Sequence, residues 1–409
     1  MSKIQRRDLR QGPTPWEKDL PLPIETTLGR DIRCDVLIVG GGISGALLAE
    51  ALSSRSLSIA LVDRRGISRG STAASTAMVE FELDTPLIAL QEQIGKSRAE
   101  RIYRRSLRAV ADLMRKLERL SIHCEQSPRE TLYLSGKKLG AEAMVEETEA
   151  RRTLSLPSRY LNREEVQAQF GISRDGAILS AASAQLNPVK MTAALIEIAR
   201  RRGVRVFEQQ EIIDFSPGFK SVLAQTKSGR TFEASYLIFA TGYELPDRVT
   251  RAGYNVTSTW AIATRPQQSL WSREVMITEA EEPYLYVRAM DDGRVIAGGE
   301  DEPSGDSEIR DEEFAAKIAT IQEKLKRMLP YLDVTADFAW TGAFGMSETG
   351  LPLIGKIPGC PRCYAVVGFG GNGTTFSAIA ADLIPSDIMG EPDADAELFA
   401  FQELATTTP

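Results

Sequence analysis

Apolar residues fall along the chain in two rhythms. Unbroken apolar runs occur at Val36-Leu37-Ile38-Val39, Ile59-Ala60-Leu61-Val62 and Tyr236-Leu237-Ile238-Phe239-Ala240. Short runs without alternation suit strands buried on both faces, as in a parallel sheet. Further strands are predicted at 129–134, 204–207, 212–215, 221–225, 257–263, 284–289, 294–299 and 364–367, with Lys227-Ser228-Gly229-Arg230 as a hairpin turn. Helical spacing governs other stretches. It runs through 87–120, where Ile94, Ile102, Val110, Leu113, Leu117 and Leu120 are apolar and the interleaved Arg and Lys read as a solvated face. Asn162-x-x-Glu165 is a helix start, and Asn187-Pro188 opens a helix through Met191, Leu195 and Ile198. The segment 311–329 carries Phe314, Ile318, Ile321, Leu325 and Leu329 at helical spacing, and a last helix runs through Ile379, Ala380, Leu383 and Ile384.

The order of elements predicts an α/β chain, α+β overall. A strand–helix–strand unit covers 34–63 and leads into Arg64. The expected division is an N-terminal arm (1–33), a discontinuous Rossmann-like nucleotide-binding domain (34–86, 187–254, 341–409) and a mainly antiparallel substrate domain (87–186, 255–340). The arm is polar and Pro-rich and is expected to lie on the surface, anchored by Trp16.

The chemistry starts where the first strand meets glycine. Gly40, Gly42 and Gly45 follow Val39 with the G-x-G-x-x-G spacing, and Ile43 and Ser44 open the next helix. Gly40 makes the tight turn, Gly42 admits a pyrophosphate to the backbone, and Gly45 lets helix and strand pack closely. The helix N-terminus offers free N–H groups to an anion. Asp63 ends the second strand about 20 residues on, where an acid binds a ribose hydroxyl. Two more stretches share this character. Gly70-Ser71-Thr72-Ala73-Ala74-Ser75-Thr76-Ala77 crowds hydroxyls and small residues after the second strand, and Ala240-Thr241-Gly242 ends another. Near the end, Gly370-Gly371-Asn372-Gly373-Thr374 again joins a strand to a helix.

Composition narrows the field. The chain has 409 residues and a net charge of -7, which disfavours nucleic acid as the main partner. No apolar run is long enough to span a membrane. Residues 1–10 are charged and lack a signal core, so a cytoplasmic protein is expected. Cys360-Pro361-Arg362-Cys363 has C-x-x-C spacing, with no second pair or nearby His to complete a zinc set; it reads as a turn before a strand, with a reactive dithiol as the alternative, and no metal is predicted. His123 is the only histidine and reads as a surface residue at a helix end, which removes histidine-based triads and metal sites elsewhere.

Together these segments resemble the flavin-dependent D-amino-acid oxidase superfamily, which includes glycine oxidase, sarcosine oxidase and glycerol-3-phosphate dehydrogenase. The resemblance covers most of 34–385 and implies FAD. On it, Gly40, Gly42 and Gly45 hold the pyrophosphate, Asp63 with Arg64 meets the adenosine end, and Ile212 meets adenine through its backbone. Ser71, Thr72, Ala73, Ser75 and Thr76 line the pyrophosphate and flavin edge, with Thr241 and Gly242 beside them. Gly371, Asn372, Gly373 and Thr374 approach the flavin pyrimidine, where a helix N-terminus stabilises the reduced ring. Tyr284-Leu285-Tyr286-Val287-Arg288 resembles the strand carrying a carboxylate-binding arginine, so Arg288 with Tyr284 and Tyr286 is the expected substrate clamp.

Two departures refine the expectation. Sarcosine oxidases attach flavin through a cysteine, but Trp340 to Met346 contains none, so FAD is expected to be non-covalent. Val295 falls near the lysine that assists those oxidases with oxygen, which leaves oxygen or another electron acceptor open. The leading expectation is oxidation of a small, carboxylate-bearing amine or amino acid, by hydride transfer to flavin N5, to an imine and then a keto product. The alternatives are a hydroxy-acid dehydrogenase and a flavoprotein serving electron transfer within a complex.

Overall fold

The apolar runs become the middle of a parallel sheet. The computed structural model describes residues 9–24, 28–246, 254–303, 307–347 and 349–401. Five strands lie side by side and parallel, in the order Cys363–Val367, Thr231–Phe239, Ile32–Val39, Ile59–Asp63 and Arg205–Glu208. Leu353–Lys356 adds an antiparallel edge, and Ile212–Pro217 with Val222–Thr226 extends from Thr231–Phe239. Both faces are covered. Val36, Ile38, Leu61 and Ile238 pack into one core with the helices Ile43–Ser53, Pro188–Arg201 and Gly373–Ile388. Leu37, Val39, Val62 and Phe239 pack into a second core with Phe215 and Phe232. A strand with cores on both sides has no reason to alternate, which is why these runs read as continuous.

The second sheet has ten strands and is antiparallel except where Met276–Glu279 pairs with Ser127–Leu134. Its long members are Tyr254–Thr264, Ala336–Ser347, Val295–Glu302 and Gly176–Gln185. One face is apolar: Trp260, Ile262, Leu285 and Val287 pack with Ile321 and Leu325 of the helix Ser307–Met328. Alternation turns Thr259, Tyr284 and Tyr286 to the opposite face.

The structure differs from expectation in three places. The predicted helix over 87–120 is two helices, Leu87–Ile94 and Lys96–Arg119, because Gly95 adopts a φ of +87° that ends the first. Its basic face is partly engaged: Arg105 is buried and ion-paired to Asp393 and Asp382, and Arg101 to Asp395 and Glu397. The arm does not merely lie on the surface. Arg10–Gln11 pairs with Ala336–Ser347, and Leu9 and Trp16 are buried.

Helix and strand meet at the glycine turn with no spare room. A Cβ on Gly45 would stand 1.9 Å from the carbonyl oxygen of Gly40. Backbone cannot yield as a flexible side chain can. Gly45→Ala is therefore expected to destabilise the protein by about 1–3 kcal/mol in urea titration. Gly140→Ala, at a helix cap with nothing within 4 Å of the new atom, should cost no more than about 1 kcal/mol.

Candidate active site

One cavity runs between the two sheets. It begins where the parallel strands end and finishes against the antiparallel sheet. Gly40, Gly42, Ile43 and Ser44 line it at the start of the first helix, and Gly370, Gly371, Gly373 and Thr374 at the start of the last. Gly42 caps the first helix without a side-chain cap, and no acidic residue occupies its first turn. Thr72 Oγ1 takes up the Ile43 N–H at 3.1 Å. Ser71 Oγ and Thr241 Oγ1, both on lining residues, have no hydrogen-bond partner among the described residues. Bare helix termini and uncommitted hydroxyls make a cradle for an anion with its own donors and acceptors.

Asp63 closes one end. Its Oδ1 accepts the N–H groups of Arg65 (2.7 Å) and Gly66 (2.8 Å), and its Oδ2 accepts Gly41 N–H (2.7 Å). Burial raises this carboxyl above its ordinary value, while the three N–H groups and Arg65 pull it down. Oδ2 keeps acceptor capacity for a hydroxyl. Beside it, the buried Glu244 pairs with both Arg64 and Arg65.

The other end is built from acids, hydroxyls and aromatics: Glu80, Asp84, Thr259, Thr278, Tyr284 and Tyr286, with Phe344 and Phe369. The two tyrosine rings lie 6.0 Å apart. Tyr286 is hydrogen-bonded with Thr259 and Thr76, and Tyr284 with Asp301. Burial raises Glu80 well above the usual carboxylate range, and Glu82 and Asp84 add to the effect. Burial likewise raises Asp84, against the Gly371 N–H that it accepts at 2.7 Å. Asp301 is pushed up to about 6, chiefly by burial. Among the described residues, no Lys or Arg forms an ion pair with Glu80, Asp84 or Asp301. The basic residues that line the cavity, Arg64 and Arg65, are at the Asp63 end.

Most of the residues singled out in the sequence meet here. Gly40, Gly42, Ile43, Ser44, Asp63, Arg64, Ser71, Thr72, Ser75, Thr76, Ile212, Thr241, Gly242, Gly371, Gly373, Thr374, Tyr284 and Tyr286 all line the cavity. Four do not. Gly45 packs behind the turn on Gly40. Ala73 is fully buried in a small core with Trp16, Val189 and Trp340. Asn372 turns away and donates to the Glu82 carbonyl at 2.7 Å. Arg288 is the main correction. It follows Tyr284 and Tyr286 along the strand, but its guanidinium is spent on backbone carbonyls: Nε to Thr76 at 2.6 Å, and longer contacts to Ala289 and Leu186. It lies over the Trp16 ring, and burial lowers its pKa to about 10. Arg288 is not among the residues that line the cavity.

Sequence reasoning missed Glu80, Asp84, Arg65, Glu244, Thr259, Tyr243 and Leu9. The acids carried a readable signal: Glu80, Glu82 and Asp84 occupy alternate positions directly after the hydroxyl-rich loop. Glu82 is taken by Thr131 and Arg151, which leaves the other two facing the cavity. His123 is exposed beyond the helix Lys96–Arg119, and Cys360 and Cys363 are buried. Among the described residues no helix is long and apolar enough to cross a membrane, and no His/Cys/Asp/Glu group could hold a metal.

Known proteins share this fold. The chain is 22% identical over 389 residues to gamma-glutamylputrescine oxidoreductase of Escherichia coli, covering 92% of this chain and 88% of that one. It is 23% identical over 389 residues to glycine oxidase of Geobacillus kaustophilus, covering 90% and 96%. The crystal structure of that glycine oxidase superposes with a TM-score of 0.76 at 19% identity, covering 91% of this chain and 99% of that one. An L-α-glycerophosphate oxidase from Mycoplasma pneumoniae with FAD bound superposes at 0.72 and 16% identity, covering 91% and 96%. Residues 35–385 match the family described as FAD dependent oxidoreductase. The chain belongs to that FAD-dependent oxidoreductase family, and its cofactor is FAD.

Proposed function

We propose that this enzyme oxidises a small amine that binds as a cation, with FAD held non-covalently. The observation that carries the reading is the character of the cavity beyond the cofactor cradle. Glu80 and Asp84 face it, Asp301 stands behind Tyr284, and no basic side chain lines that end among the described residues. Carboxylates that stand close together with no basic side chain beside them favour a ligand that brings positive charge. Aromatic faces at Tyr284, Tyr286, Phe344 and Phe369 add attraction for an ammonium. This replaces the carboxylate clamp at Arg288.

Gly40, Gly42, Ile43 and Ser44 would hold the FAD pyrophosphate, and Asp63 Oδ2 the adenosine ribose. Ser71, Thr72, Ser75, Thr76 and Thr241 would meet the chain toward the flavin. Gly371, Gly373 and Thr374 would place a helix N-terminus at the ring. FAD supplies the hydride acceptor for the C–H bond next to nitrogen. The protein's share is to draw in the ammonium, accept its proton at a Glu80 or Asp84 carboxylate oxygen, and orient the neutral amine against Tyr284 and Tyr286. Val295 is buried in the core and, among the described residues, no lysine lines the cavity, which leaves the electron acceptor open between oxygen and another oxidant. A hydroxy acid would find no cation at this end for its carboxylate.

Two outcomes are expected. Under anaerobic conditions, primary and secondary alkylamines should bleach the flavin faster than glycine, N-methylglycine or 2-hydroxy acids. Bleaching by hydroxy acids alone, or by none of the panel, rules the reading out. Loading a cation lowers the pKa of the carboxyls around it, so binding releases protons and tightens as pH rises through the raised range of Glu80 and Asp84. Calorimetry in two buffers of different ionisation enthalpy reads that release; proton uptake on binding would be the wrong sign.

A further inference from the structure

The cofactor loop is held from outside the cavity by three donors. We infer that Trp16, Trp340 and Arg288 are positioning residues that set the loop Ser71–Thr76 for FAD by fixing three consecutive carbonyls. Trp340 Nε1 donates to Ala74 O at 2.9 Å, Trp16 Nε1 to Ser75 O at 2.9 Å, and Arg288 Nε to Thr76 O at 2.6 Å. The donors come from three separate elements: the strand Ala336–Ser347, the N-terminal arm and the strand Leu285–Ala289. All three side chains are at least 98% buried. They brace one another, since the Arg288 guanidinium lies 5.5 Å from the Trp16 ring centroid.

The consequence is electrostatic as well as steric. None of the three donors lines the cavity, so the carbonyl oxygens that they take are drawn away from it. A carbonyl dipole aimed at a diphosphate would repel it. With the carbonyls withdrawn, the loop offers the cavity Ser71, Thr72, Ser75 and Thr76 instead. The loop does not hold this shape unaided. Ala77, directly after it, adopts a φ of +55°, a region that side-chain-bearing residues avoid. Ser75 Oγ also turns back to accept the Ala77 N–H at 3.0 Å. The arm is thus part of the cofactor site: Leu9 lines the cavity, Arg10–Gln11 adds an edge strand, and Trp16 closes the clamp. The inference holds for any substrate and does not rest on the amine reading.

The chain contains its own control. Trp271 Nε1 also donates to a backbone carbonyl, Val275 O at 2.8 Å, but in the core beneath the antiparallel sheet. The test compares Trp16→Phe, Trp340→Phe and Trp271→Phe in the full-length protein stripped of FAD. Amide exchange across 71–77 should accelerate in the first two and stay unchanged in Trp271→Phe. The FAD dissociation constant should rise about tenfold in the first two, the cost of ordering a loop that is no longer set in advance, and stay within twofold in Trp271→Phe. Equal exchange and equal FAD affinity in all three overturns the inference. Arg288→Lys separates positioning from substrate binding: on FAD-saturated enzyme, KM for whichever compound reduces the flavin should stay unchanged while FAD affinity falls. A KM rise confined to carboxylate-bearing substrates, with FAD affinity intact, would make Arg288 a substrate residue and overturn its place in the clamp.

Discussion

Parallel alignment is the constraint on which the rest depends. Because five strands run the same way, their C-terminal ends lie along one edge, and each leaves by a loop at that edge. Gly40 follows Val39, Arg64 and Arg65 follow Asp63, and Gln210 to Ile212 follow Glu208. Ala240 to Tyr243 follow Phe239, and Phe369 to Gly371 follow Val367. Every one of these segments lines the same cavity. No single loop makes the site. Hydrogen-bond register in the sheet brings them together, and two helix N-termini then point at the space they enclose.

The second sheet supplies what the parallel edge lacks. It lays a wall of threonines and tyrosines across the cavity, and its apolar side is pinned by the helix Ser307–Met328. Its edge also takes in the N-terminal arm. The two halves meet most intimately at the loop Ser71–Thr76. There Thr72 bonds the first helix of the nucleotide half, while the carbonyls of Ala74 and Thr76 bond strands of the other half. A cofactor seated there bridges both.

Much of this was legible in the sequence, for a physical reason. Rossmann signals are local: Gly40 to Gly45 and the terminal glycine run expose backbone at a turn, and Asp63 ends the neighbouring strand, so spacing along the chain brings them to one cavity. The buried parallel strands were legible because nothing solvated interrupts them. The substrate end was harder. Strand alternation groups Tyr284, Tyr286 and Arg288 on one face, yet only the two tyrosines line the cavity, because direction along a strand does not say which neighbours a side chain meets. Its partners, Thr76, Leu186 and Trp16, come from three remote segments. Glu80 and Asp84 were missed because their role depends on what does not face them. Glu82 is the same kind of residue at the same spacing, and only Arg151 and Thr131 set it apart.

The central claim is that this cavity holds FAD without a covalent bond. The direct measurement is the visible absorption spectrum of the purified protein, before and after heat denaturation and removal of the precipitate. A flavin spectrum that passes wholly into the supernatant is expected, consistent with the absence of cysteine from Trp340 to Met346. Flavin retained in the pellet would contradict non-covalent binding. A colourless protein that takes up no added FAD would contradict the assignment of the cavity itself.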